Sequence, residues 1–306
     1  VELLDAKAST PALKKSCVSI IKKLSEQPKT QEKIIENPLV LGVVLANLVE
    51  TEQAHKKKVA ELKAQGKTAE LSSIEKHTQA AVLDSLDMME KLSSTDKGRE
   101  KIIEKNSIAK CIGVLKDFGE DKDIVEKANK TLSGLIATDR DIDDFEKNNG
   151  AQAVLDNLER YLDDLPMLIA LTDLVGRTAT SERMQTEYGT KGVVGTITKG
   201  NKKYPTSLEL NTNTCFAFSS LVLNHPENSK RVLQSESLDH IKNLIHSELD
   251  QAKLMGNAAT LFNNLAFKSM ENKQALAKIG IVELLVLIFS HYSKVNNRSV
   301  LKQVLK

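Results

Sequence analysis

The sequence predicts an all-α chain, an α-solenoid in which a unit of three helices is repeated and stacked. Three observations predict it. Apolar residues recur at helical spacing along most of the chain, and no sustained period-2 run of Val, Ile and Thr offers a sheet. One phrase returns every forty-odd residues: an apolar run, a polar break, a short amphipathic segment closed by a turn residue, and a second apolar run. Ala, Leu, Ile and Lys dominate, aromatic residues make up 4% and Trp is absent, which is a composition of helix formers.

The phrase is clearest from Leu254 to Phe289. A first run ends in Leu261, Phe262, Asn263, Asn264 and Leu265; Gln274 to Ile279 form the amphipathic middle, Gly280 closes it, and Ile281 to Val286 open the next run. Aligning other stretches on Leu265 gives Leu24, Leu92, Leu135, Leu174 and Leu221, with steps of 68, 43, 39, 47 and 44 residues. Four of these steps sit near the period of a three-helix repeat, and the first must hold an insertion. About five complete repeats result, with partial ones at both ends, in a single array over 1–306.

Taken in order, a break at Ser9-Thr10-Pro11 precedes a helix with Leu13, Cys17, Ile20, Ile21 and Leu24 on one face. Pro28 opens a short helix carrying Ile34 and Ile35. The pattern then overruns, predicting two long helices, roughly 39–64 and 68–92, turning at Gly66. Their extension, residues 50–72, is expected to project as a hairpin and carries His55, Lys56, Lys57 and Lys58, either a solvated face or a contact patch for an acidic partner. Later units show Ile102-Ile103, Ile108-Ile112-Leu115 and Ile124-Ala128-Leu132; then Phe145, Val154-Leu158 and Leu165 to Val175. Next come Met184-Tyr188, Val193-Ile197, a basic loop over 199–205 and Leu210 to Val222; then Val232-Leu233, Leu238-Ile245 and 254–266. A final unit starts at Leu276. All six prolines (11, 28, 38, 166, 205 and 226) fall at or near predicted helix starts, where a missing N–H costs nothing.

Charge excludes one class of partner. The net charge is +2, with 25 basic and 26 acidic residues up to Gly150 and 18 and 15 beyond, so neither half offers an electrostatic footprint for nucleic acid. No apolar run reaches the ~18 residues of a membrane span. Apolar residues at both ends, Val1-Leu3-Leu4 and Val300-Leu301-Val304-Leu305, suggest that the ends dock on further repeats or neighbouring subunits.

Reactive constellations are sparse. Cys17, Cys111 and Cys215 stand about a hundred residues apart in apolar helical patterns, which reads as buried thiols rather than a metal clip or disulfide framework. The six His residues form no i,i+4 pair. Residues 195–202 miss the phosphate-loop spacing, and their glycines are expected at turns between short helices. The acidic run 139–144 lacks calcium-loop spacing and is expected at a helix N-terminus, favoured by the dipole. No catalytic residue, cofactor or metal ligand is assigned, and the chain is expected not to be an enzyme.

Three helices in this order, the short one closed by Gly280 before Ile281, resemble the armadillo repeat family of β-catenin and importin-α type. The resemblance covers the chain outside 50–72. It implies a right-handed superhelix whose third helices line a groove for extended peptides, with a ladder of Asn preceded by Trp four residues earlier. Carried over by position, the pairs are Thr260/Asn264, Phe216/Ser220, Ile169/Asp173, Lys130/Gly134, Asp87/Lys91 and Ser19/Lys23. Asn264 alone keeps the family residue, so import-type recognition of a basic signal is not expected. Lys23, Lys91 and Lys130 instead favour an acidic or mixed segment. The resemblance implies a protein-binding scaffold or adaptor, cytoplasmic or within a cytoskeletal or axonemal assembly. An armadillo-type regulator or transport receptor, or an accessory subunit of an enzyme complex, are the alternatives.

Overall fold

A computed structural model describes residues 11–65 and 68–305, which form nineteen helices and no strand. The expected turn at Gly66 and the apolar residues before Ser9 lie outside the described residues. By its contacts the chain divides into two compact units, Val1–Ala153 and Val154–Lys306.

The first unit opens with a third helix, α1 (Pro11–Leu24). A full repeat follows: α2 (Pro28–Glu36), α3 (Pro38–Ala64) and α4 (Thr68–Ser93). The next is α5 (Asp96–Ile103), α6 (Ser107–Asp117) and α7 (Lys122–Leu135), and then comes α8 (Asp139–Lys147). Helix α9 (Gly150–Arg160) spans the boundary in sequence. The second unit continues with α10 (Leu165–Thr178); α11 (Glu182–Thr190), α12 (Val193–Lys203) and α13 (Leu208–Val222); α14 (Pro226–Leu233), α15 (Ser237–Ser247) and α16 (Ala252–Ala266); and α17 (Met270–Lys278), α18 (Ile281–Lys294) and α19 (Arg298–Val304). Within each unit like packs on like. Third helices stack as α1–α4–α7 and as α10–α13–α16–α19, and second helices as α3–α6 and α12–α15–α18.

Local chemistry repeats with the fold. In four repeats, from α5 onward, the bend from first to second helix is made by one left-handed residue, Asn106, Asn149, Gly192 and Gly280, types that tolerate positive φ, whereas Asn37 between α2 and α3 is extended. Glu236 holds the same place before α15 with a right-handed backbone. Many first and third helices start on side-chain caps, although α2 and α16 do not. Thr95, Ser181 and Ser269 accept from the third backbone N–H beyond them, as do Asp121, Asp164 and Ser207. Thr138 and Asp141 make a reciprocal capping box at α8, so the acidic run does sit at a helix start.

Third-helix residues contribute to the core of each unit, Leu92 and Leu135 in the first and Leu221 and Leu265 in the second. Leu92, Leu135, Leu221 and Leu265 are fully buried. Counting from the N-caps Asp121, Asp164, Ser207 and Gln251 corrects one rung: the residue equivalent to Leu135 in α10 is Thr178, one turn beyond Leu174. The steps from Leu92 become 43, 43, 43 and 44. A polar residue hid the position. Thr178 is buried, and its hydroxyl is satisfied by the Leu174 carbonyl and the Tyr188 hydroxyl, each at 2.8 Å. Leu24 keeps its register but is half exposed, whereas Leu92 and Leu135 are fully buried.

The long pair is present, as α3 and α4. Up to Leu62, however, the extension of α3 lies on the body of the unit: His55 stacks on Phe118 with ring centroids 4.8 Å apart, and Lys56 reaches Asp117 at the end of α6. Two expectations about 195–205 also change. Gly195 and Gly200 lie inside α12, and the basic stretch 199–203 is its last turn rather than a loop. A Cβ on Gly200 would come within 3.3 Å of Leu168, so that glycine permits close packing instead of a turn.

Candidate functional site: the third-helix faces

In the first unit the face of α1, α4 and α7 is a ladder of ion pairs. Lys22 of α1 reaches Asp84 at 2.8 Å and Asp87 at 2.7 Å on α4. From the other side Lys127 of α7 pairs with Asp87 and with Glu90 at 2.9 Å, and Lys130 pairs with Glu90 at 2.8 Å. Partial burial disfavours the charged forms, but the two lysines outweigh it and hold the Asp87 carboxyl below its usual range; Lys127 and Lys130 do the same for Glu90. Burial likewise pulls the Lys22 and Lys127 ammonium groups down, and their carboxylate partners more than reverse this. Lys130 is therefore balanced by Glu90, while Lys23 stays exposed and Lys91 half-buried beside the ladder.

The second unit has a different face. With the corrected register, the α10 pair is Asp173/Arg177, whose side chains bond at 2.6 Å, and Ile169 drops out of the ladder. Phe216 of α13 packs closely on α10, where a Cβ on Gly176 would fall 2.5 Å from its ring. Ser220 does hold the rung of Asn264, thirteen residues after the N-cap, but it is half-buried, and its carbonyl accepts from the Gln185 amide of α11 at 2.6 Å. A Ser side chain is also too short to span to a neighbouring backbone as the Asn amide does. Thr260 bonds back to Gly256, and Asn264 donates its amide to the Ser219 carbonyl of α13 at 2.9 Å. Asn264 thus straps α16 to α13.

Two residues missed in the sequence do the same a few turns earlier: Asn213 donates to Ile169 at 3.1 Å and Asn257 to Thr212 at 3.1 Å. They sit six residues after the N-caps of α13 and α16, a coincidence visible only once the register is right. Between these helices opens a cavity of about 480 Å³, lined by Pro166, Ile169, Ala170, Asp173, Asn213 and Lys253 among others.

The hairpin patch separates into two halves. His55 and Lys56 face the unit, and Lys57 and Lys58 face solvent, Lys58 lying 3.5 Å from Glu61. Lys56 bridges Glu52 at 3.1 Å and Asp117 at 2.6 Å. Burial, and then the neighbouring Asp117 carboxyl, push Glu52 up to about 7. Gly113 makes room, since a Cβ there would sit 3.4 Å from the Glu52 carboxylate. Among the thiols Cys111 and Cys215 are buried and Cys17 is half-buried. Burial pushes Cys111 up to about 12 and Cys215 higher still.

No protein-family model matches the chain, and no curated protein matches it. Solved structures do. An engineered protein superposes with a TM-score of 0.61 at 13% identity, over 73% of this chain and 90% of its own. A second engineered protein aligns with 99% of this chain and 86% of its own, at 14% identity and TM-score 0.49. A structure from work on a phosphorylation switch in the interaction between cadherin and β-catenin aligns over 87% of this chain and 56% of that one, at 15% identity and TM-score 0.44. The first likeness supports the helical-repeat fold and nothing finer. No single helix among the described residues is long and apolar enough to cross a membrane.

Proposed function

We infer that this chain is a non-catalytic protein-interaction scaffold of armadillo type, taking an extended protein segment along the third-helix face of its second unit. The observation that carries the reading is the cavity of about 480 Å³ beside Asp173 and Lys253. Its lining combines an apolar part, Pro166, Ile169 and Ala170, with Asp173, Glu209 and Lys253, which suits a segment of mixed charge. The helices are already strapped to one another through Asn213, Asn257 and Asn264, so binding orders little of the protein. Two thiols held far from ionisation support a non-catalytic role. In the first unit the paired lysines support a neutral packing face in place of a basic groove.

The test is affinity capture with the wild-type chain and with an Asp173→Arg/Lys253→Glu variant, both checked for unchanged circular dichroism. Partners held in this face should be lost from the variant and retained by a Lys57→Glu/Lys58→Glu control. An identical set of partners on wild type and variant would remove the reading.

A further inference from the structure

In α2, α5 and α11 the residue four after the N-cap is a long donor: Gln31, Arg99 and Gln185. Each reaches the end of the third helix in its own repeat. Gln31 donates to the Lys91 carbonyl at 2.6 Å and Arg99 to the Leu135 carbonyl at 3.4 Å. Gln185 spans two carbonyls, Ser220 at 2.6 Å and Leu223 at 3.1 Å. A third acceptor beside them, the Asn228 side-chain oxygen of α14, is filled by Arg231 at 2.9 Å. One repeat later both long donors are gone. Ser229 stands where Gln185 stands, four residues after the cap, and turns back on the His225 carbonyl at 3.1 Å. Ala275 stands where Arg231 stands, six residues after the cap. The acceptors remain. Asn264 and Phe267 hold the places of Ser220 and Leu223, thirteen and sixteen residues after the N-cap, and Asn272 that of Asn228. Among the described residues no donor reaches the Asn264 or Phe267 carbonyl or the Asn272 side-chain oxygen. Around them opens a cavity of about 600 Å³ between α14 and α17, lined by Ser229, Asn264, Phe267, Asn272 and Ala275 among others.

We propose that this cavity receives an arginine side chain of a protein partner, which supplies the donors that the chain provides for itself one repeat earlier. A guanidinium is a planar fork of N–H donors with no acceptor, and three acceptors at a helix C-terminus, where the dipole is negative, suit it. The chain already holds one arginine in this way: Arg99 meets the Leu135 carbonyl and, at 3.0 Å, the Asp141 carboxylate with the same nitrogen. Here Glu227 and Glu271 line the cavity and offer carboxylates, and the half-exposed Phe267 ring offers an apolar wall. Lys230 and Lys268 line it too, and Lys268 lies over the Phe267 ring at 4.9 Å. Net charge is therefore balanced, and the unfilled acceptors make the choice of guest. An ammonium is a point charge and cannot span them. This cavity shares no residue with the one beside Asp173 and Lys253, so the two readings stand or fall independently.

Amide NMR on the 306-residue chain, titrated with the acetylated and amidated tripeptide Leu-Arg-Leu, tests it. The peptide should shift the amides of Ser229, Phe267 and Asn272 saturably. The same peptide with Lys for Arg should bind roughly tenfold more weakly, the loss expected for one charge-assisted hydrogen bond. Ser229→Gln/Ala275→Arg restores the internal donors and should abolish the shifts with helicity unchanged; Ser229→Gln alone serves should the double variant fold poorly. No saturable shift with the arginine peptide, equal binding of the lysine peptide, or undiminished binding to the refilled variant would each overturn the proposal.

Discussion

Glu52 shows how one side chain sets a pH response. Its carboxyl lies against Asp117 and bridges to that residue through Lys56. Burial and the second carboxyl raise it to about 7 in the fold, from an ordinary 4.5. The folded chain therefore binds this proton more tightly than the unfolded chain does. The contribution favours the fold below about pH 4.5 and is lost progressively as pH rises to about 7. Asp87 and Glu90 act in the opposite sense: lowered in the fold, they stabilise it above the ordinary carboxylate range and lose that contribution as pH falls. Glu52→Gln should thus stabilise the first unit by roughly 1–3 kcal/mol at pH 8 and change little at pH 4. Urea melts at the two pH values measure it, and an equal effect at both would remove the carboxyl pair as the cause.

At the scale of the element, two of the short first helices, α14 and α17, are fastened by an Asn three residues after the cap. Asn228 donates to the Leu221 carbonyl at 3.1 Å and Asn272 to the Leu265 carbonyl at 2.9 Å, each seven residues back. Asn228 also reaches across repeats to the Gln185 carbonyl at 2.8 Å and is wholly buried. Asn228→Ala should cost roughly 2–3 kcal/mol and Asn272→Ala about 1 kcal/mol, because only the first orphans a buried carbonyl in another repeat. Chemical denaturation should rank them so; equal costs would show that the strap across repeats adds nothing. These straps also explain what could be read from the chain. Helix starts were legible because Pro, Thr, Ser and Asp announce them, and the long pair because its apolar spacing never breaks. The third-helix register is hidden at α10, where the polar Thr178 stands on a rung that is Leu in α7, α13 and α16. The role of Ser220 was hidden for a different reason: it works through its carbonyl, which every residue type carries. The ion-pair ladder is not legible because it joins α1, α4 and α7, which are separated in sequence by α2 and α3 and by α5 and α6.

For the molecule, the division into two units governs what can be separated. Third helices α10, α13, α16 and α19 stack consecutively, so the second unit needs only neighbour contacts to hold its core. Residues 164–306, starting at the cap Asp164, keep all four and more than the three repeats that such a stack requires. This piece should fold alone, with helical circular dichroism and one cooperative melt; a non-cooperative melt would show that residues before 164 complete its core. The steps of 43, 43, 43 and 44 between Leu92 and Leu265 show why the long pair is tolerated. The added length lies between α1 and α4 and does not alter the repeat length after it.

The unequal burial of the three cysteines offers a built-in clock. A maleimide dye should attach first at Cys17, giving a single fluorescent label on α1 without mutagenesis. Cys111 and Cys215 become addressable only when the helices around them come apart, so the delay before a second and third dye molecule attach would time the breathing of each unit separately.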